Sequence, residues 1–224
     1  MESNRSLARG QRLTLAGPAG AIEALIETPA DAEPAAFGVI CHPHPLHGGT
    51  LENKVVHTLA RSFQDLGAAT IRFNFRGVGA SAGRFAEGLG ETYDTLAVIA
   101  SGRARWPDIP LWLGGFSFGG AVAVRAASEA LPRQLVTVAP AVTLINLNDI
   151  KVPDCPWLIV QGGDDELVDA KVVVDWAARL HPAPTVELLP GVGHFFHGRL
   201  RDLTQVGSNF ARERVLTKES EKSG

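Results

Sequence analysis

Cysteine is nearly missing from this chain. Cys41 and Cys155 are its only two, enough for one disulfide at most, too far apart for a CxxC pair and too few for a zinc ribbon, so a reducing compartment suits it. Long apolar runs are missing as well. No window approaches the roughly 18 apolar residues that a membrane-spanning helix needs, and the opening MESNRSLARGQRLTLAG lacks the continuous apolar stretch of a secretory leader. Excess charge of one sign is also absent: 21 Lys plus Arg stand against 24 Asp plus Glu, with no basic run. Nothing in that balance offers a positive footprint for phosphate backbones. Internal repeats, low-complexity tracts and an interdomain linker are lacking too. Together these absences point to a soluble, cytoplasmic protein whose partners include neither nucleic acid nor membrane.

What is present is an ordinary globular allowance of apolar residues, 45% of 224 positions, enough for one sizeable core. One domain over residues 1–224 is expected, with frayed ends at 1–10 and 217–224. Eight apolar runs rich in β-branched or aromatic residues read as strands: Gln11–Leu15, Ile22–Glu27, Phe37–Cys41, Ala69–Phe75, Pro110–Phe116, Gln134–Val138, Trp157–Gln161 and Thr185–Leu189. From the third onward they alternate with helical stretches at Lys54–Leu66, Glu91–Arg103, Gly119–Ala130, Ala170–Leu180 and from about Phe196. Alternation of this kind makes a mostly parallel sheet covered on both faces. The first two strands are joined only by Gly17–Gly20, which is hairpin length and too short for a crossover. The fold class is therefore α/β: an antiparallel hairpin feeding a doubly wound parallel sheet, with active residues in the loops beyond the C-terminal strand ends.

One loop there carries a candidate nucleophile. Gly115-Phe116-Ser117-Phe118-Gly119 follows an apolar strand and opens a helix of small residues, the context in which G-x-S-x-G is informative. A serine on so sharp a turn crowds the positions two residues either side, and both are glycine. The same pattern recurs at Gly79-Ala80-Ser81-Ala82-Gly83, but three glycines in the next stretch (Gly83, Gly88, Gly90) prevent the immediate helix that such a turn needs. Ser81 is read as a structural turn residue.

A serine needs a base, and histidine is the usual one. Of seven histidines, His194 lies just past the last strand among small residues, where a loop can approach the strand ends. His197 is its rival and is expected inside the following helix. The carboxylate that orients the base should follow the strand between nucleophile and base, where Asp164, Asp165, Glu166 and Asp169 compete. Spacing alone does not separate the first two, and an acid after a strand is often only a helix cap.

The loop after the third strand, His42-Pro43-His44-Pro45-Leu46-His47, allows two readings. As H-x-H-x-x-H it could hold zinc, although it carries no interleaved carboxylate and a serine mechanism leaves a metal nothing to do. As an oxyanion loop it would supply one backbone donor beside the Phe118 amide. Pro43 and Pro45 have no N–H, so His44 is nominated, with Leu46 as the fallback.

With Ser117, a downstream acid and His194 in that order, the chain resembles the alpha/beta-hydrolase superfamily over nearly its whole length. It looks most like a small lidless bacterial branch. The shared stretches are His42–Pro45, Gly48–Thr50, Asn53–Val56, Arg72–Gly79 (RFNFRGVG), Gly115–Gly119 (GFSFG) and His194–His197 (HFFH). In that branch the acid lies in G-x-x-D-x-x-V, which Gly162, Asp165 and Val168 fit and Asp164 does not. Many relatives insert a cap between strands six and seven; here Ala139–Cys155 spans only 17 residues, so no lid is expected. The resemblance implies a serine hydrolase without cofactor or metal, acting on a small-molecule ester through Ser117, His194 and Asp165, with Phe118 and His44 amides as oxyanion donors. Phe116, Phe195 and Phe196 are expected to line a shallow pocket for short acyl chains. A thioesterase or amidase would use the same residues. A non-catalytic binding protein on the same fold and a metallohydrolase on His42, His44 and His47 are the rivals from other classes.

Overall fold

The computed structural model describes residues 9–30, 32–147 and 150–221. Its strands are β1 (Arg9–Gly17), β2 (Gly20–Thr28), β3 (Ala36–Cys41), β4 (Ala68–Phe73), β5 (Leu111–Phe116), β6 (Gln134–Val138), β7 (Trp157–Gly162) and β8 (Thr185–Leu189). Its helices are α1 (Lys54–Gln64), α2 (Leu89–Arg105), α3 (Phe118–Ala130), α4 (Ala170–Ala177) and α5 (Leu200–Glu221). All eight strands form one sheet in the order β1-β2-β4-β3-β5-β6-β7-β8. The hairpin pairs antiparallel, β2 runs antiparallel to β4, and every later pairing is parallel.

Burial on both faces explains why β3 to β7 read as continuous apolar runs. Val55, Val56, Leu59 and Phe63 of α1 join Leu203 and Phe210 of α5 over one face. Val98 and Ile99 of α2, most of α3, and Val173 and Trp176 of α4 cover the other. Helix α1 starts where Asn53 Oδ1 accepts the Val55 N–H at 2.9 Å, so the Asn-Lys-Val-Val stretch is a cap followed by the first core residues. Cys41 and Cys155 are free thiols, and burial pushes them up to about 12 and about 11.

The RFNFRGVG segment ties β4 to β2 and to helix α2. Arg72 pairs with Glu27 at 3.1 Å, and Asn74 donates to Glu23 at 2.7 Å. Arg76 grips Asp94 of α2 through two nitrogens at 2.9 and 2.8 Å, with Asp94 almost wholly enclosed. Removing one partner of such an enclosed pair costs on the order of 3–5 kcal/mol.

Three expectations need correction. Asn74 and Phe75 lie beyond β4: the Asn74 N–H still reaches the Glu23 carbonyl of β2 at 2.8 Å, but the Phe75 N–H donates to the buried His42 ring at 3.0 Å instead of a strand. The last helix begins at Leu200, not near Phe196, since Phe196 (φ 53°) and Gly198 (φ 71°) adopt left-handed backbone that a right-handed helix cannot contain. His197 therefore sits in a turn ahead of α5. Residues 1–8 and 222–224 of the expected frayed ends lie outside the described residues; β1 opens at Arg9 and α5 closes at Glu221. Among the described residues, no helix is long and apolar enough to cross a membrane.

Candidate active site

Parallel pairing sets the ends of the central strands side by side: Cys41 pairs with Gly115, Phe116 with Val138, Val138 with Val160, and Gly162 with Leu189. Ser117 leaves β5 at φ 56°, ψ −119°, a backbone shape that costs a non-glycine residue on the order of 1–3 kcal/mol. The turn closes only because its flanks lack side chains. A methyl on Gly115 would strike the Gly119 carbonyl, and one on Gly119 would strike the carbonyls of Cys41 and His42. Ser117 thereby stands at the N-terminus of the 13-residue α3, where unpaired amides favour developing negative charge.

From Ser117 a chain of hydrogen bonds crosses three loops. Ser117 Oγ lies 3.0 Å from His194 Nε2. His194 Nδ1 lies 2.8 Å from Asp165 Oδ2 and 3.0 Å from Oδ1. Both Ser117 and His194 are nearly enclosed, at 8% and 3% exposure. Asp165 also accepts from the Leu167 N–H at 2.9 Å, the Val168 N–H at 2.7 Å and Gln161 Nε2 at 3.0 Å. Burial alone would raise its carboxyl. The bonds from His194, Val168 and Leu167 outweigh that and hold it below the usual carboxylate range. An ionised carboxylate can only accept, so in a neutral imidazole Nδ1 carries the proton and Nε2 faces Ser117 as a lone pair. Such an arrangement can take a proton from a hydroxyl.

The competing acids separate on geometry. Asp164 is exposed, and its amide donates to the Val192 carbonyl at 3.0 Å. Asp169 caps α4 through the Lys171 amide at 2.8 Å. Glu166 accepts the His194 backbone N–H at 3.1 Å. Of the two candidate serines, Ser81 is a latch: its hydroxyl donates to the Asn74 carbonyl at 2.7 Å and accepts from the Glu23 amide at 2.9 Å.

Residues 44–152 match the family model described as serine aminopeptidase, S33. A lidless alpha/beta serine hydrolase from Xanthomonas campestris is 40% identical, covering 92% of this chain and 94% of its own at a TM-score of 0.87. An alpha-beta serine hydrolase homologue from Coxiella burnetii is 41% identical over 89% of this chain and 96% of its own, with a TM-score of 0.85. An uncharacterized protein of Rickettsia prowazekii is 31% identical over 204 residues, 87% of this chain and 85% of its own. The chain belongs to the alpha/beta-hydrolase superfamily. It falls in the lidless branch, and the β6–β7 connection of this hydrolase carries no helix among its described residues.

The loop after β3 packs over the start of α3 in this hydrolase: the His44 ring lies 4.9 Å from that of Phe118 and 5.0 Å from that of Phe85. Leu46, the fallback oxyanion donor, has its amide engaged by His44 Nδ1 at 3.2 Å. His42 is unsuited to ligation. Its ring is buried, Nδ1 donates to the Pro43 carbonyl at 2.6 Å, and Nε2 accepts from Phe75 at 3.0 Å. Burial lowers it to about 4, which keeps it neutral in that role.

The expected aromatic pocket needs revision. Phe116 and Phe196 are 0% exposed and belong to the core that α1 and α5 cover: Phe116 ends β5 with its ring packed 5.0 Å from that of His194, and Phe196 is enclosed in the left-handed turn ahead of α5. Phe195, at 42%, remains at the surface. Exposed leucines stand on three other loops at the same end, Leu46, Leu144 and Leu167. Gln161 and Glu166 are the site neighbours that sequence reasoning missed as such. A polar residue ending an otherwise apolar strand was the available signal for Gln161.

Proposed function

We propose that this hydrolase is a serine esterase in which Ser117 is the nucleophile, His194 the general base and Asp165 the residue that orients it. The observation that carries the reading is the unbroken bond chain, 3.0 Å from Ser117 Oγ to His194 Nε2 and 2.8 Å from Nδ1 to Asp165. His194 takes the hydroxyl proton as Oγ attacks the ester carbonyl, and Asp165 stabilises the imidazolium that results. Negative charge gathers on the former carbonyl oxygen. The Phe118 amide at the head of α3 is one donor to it, and the His44 amide is proposed as the second. His194 then returns the proton to the departing alcohol, leaving an acyl-Ser117 ester. Water, activated by the same imidazole, releases the acid and restores Ser117. The reaction requires no cofactor.

An open rim with Phe195, Leu46, Leu144 and Leu167 suits acyl groups small enough to be held without a lid. A second reading, amide hydrolysis, draws on the aminopeptidase description of the matching family model; paired p-nitrophenyl ester and p-nitroanilide substrates separate the two. Incubation with a fluorophosphonate tests the serine mechanism itself. An adduct on Ser117 supports the reading, whereas an unlabelled chain overturns it in favour of a binding protein on a hydrolase fold.

A further inference from the structure

We infer that Glu166 is a positioning residue for His194, a conclusion that rests on His194 being the base. Two consecutive carboxylates of the β7–α4 loop grip that residue at two points. Asp165 holds the ring, at 2.8 Å from Nδ1, and fixes its tautomer and tilt. Glu166 holds the backbone: its Oε2 accepts the His194 N–H at 3.1 Å. The Phe116 ring, 5.0 Å away, limits the tilt of the imidazole, but neither it nor Asp165 holds the main chain of His194. Tethering the amide as well sets the height of the imidazole above Ser117.

The neighbouring residue leaves room for this grip. Gly193 lies against Glu166, and a Cβ built there would come within 2.9 Å of Oε2. Gly193 is not among the glycines with positive φ, so its backbone shape does not demand glycine, and the space beside the carboxylate supplies the reason. Because the atom in the way ends a flexible, exposed side chain, alanine at 193 would displace the carboxylate and leave the loop in place. Hydrogen bonds to the Glu166 and His194 backbones keep the Glu166 carboxyl below its ordinary range, against the opposing charge of Asp165. Glu166 therefore stays a full acceptor at neutral pH.

The test is a double-mutant cycle on the full chain with a p-nitrophenyl ester, run beside fluorophosphonate labelling. Glu166→Ala and Gly193→Ala should each lower kcat by about tenfold, because a base held off its proton-transfer geometry slows the chemical step. KM should not change, since Glu166 faces main chain and not substrate. The double variant should be no slower than either single one. Glu166→Gln, which keeps an acceptor oxygen, should retain about half the rate or more. Wild-type kcat in Glu166→Ala overturns the inference, as does a Gln variant as slow as the Ala variant, or losses that multiply in the double variant. Labelling separates the levels of failure: an unlabelled wild-type chain sinks the serine mechanism and this inference with it, whereas a labelled wild type with an unaffected Glu166→Ala sinks this inference alone.

Discussion

Acidifying the protein should unlock the loop after β3 through His42. In the folded chain this ring is 0% exposed and wholly committed, donating at Nδ1 and accepting at Nε2. Protonation would put a second N–H against the Phe75 N–H and place a charge in the core. Burial therefore lowers the group from 6.5 to about 4. Between those two values the unfolded chain binds a proton that the folded chain refuses, so stability rises with pH across that window and is fully present above about 6.5. At 1.36 kcal/mol per pH unit the contribution is about 3 kcal/mol, most of it lost by pH 4.5. Urea unfolding at pH 7.5 and 4.5, compared between wild type and His42→Gln, isolates it. Gln can accept from Phe75 but does not titrate. The variant should be less stable at pH 7.5, yet lose about 2 to 3 kcal/mol less than wild type on going to pH 4.5. Equal acid losses in the two proteins would refute the reasoning.

Three further outcomes follow from the site. Asp165→Asn presents an amide N–H where Nδ1 needs an acceptor and forces the proton onto Nε2, so kcat/KM should fall by about three to four orders of magnitude; retention of a tenth of the wild-type rate would contradict the assigned tautomer. Ser81→Ala should cost about 1–3 kcal/mol in chemical denaturation, because two buried bonds lose their partner, with kcat unchanged; a large fall in kcat would return Ser81 to the list of nucleophiles. In a p-nitrophenyl ester series, acyl chains of roughly two to six carbons should give the highest kcat/KM, since further methylenes left in water gain none of their ~0.8 kcal/mol of burial. A steady rise to long chains would refute the short-chain reading.

The parts of this hydrolase that were legible in its sequence are those governed by local chemistry. Steric crowding around Ser117 demands Gly115 and Gly119, and the alternation of apolar runs with helices demands a parallel sheet. The short connection after β6 left no length for a lid. Less legible were features decided by tertiary contact. Phe116 and Phe196 look like pocket aromatics because they neighbour Ser117 and His194, but which way a side chain points depends on the packing beneath. The start of α5 was misplaced because nothing local marks Phe196 as left-handed. Loss of Phe75 from β4 required knowing that a histidine 33 residues earlier takes the Phe75 amide. Glu166 was legible only as one acid among four, since its partner is a main-chain N–H with no sequence signature.

Mass mapping after fluorophosphonate treatment tests the central claim most directly. One adduct is predicted, on the peptide containing Ser117; it should vanish in Ser117→Ala and form far more slowly in His194→Ala and Asp165→Asn. No adduct on the wild-type chain, or one that persists elsewhere in Ser117→Ala, would contradict the mechanism.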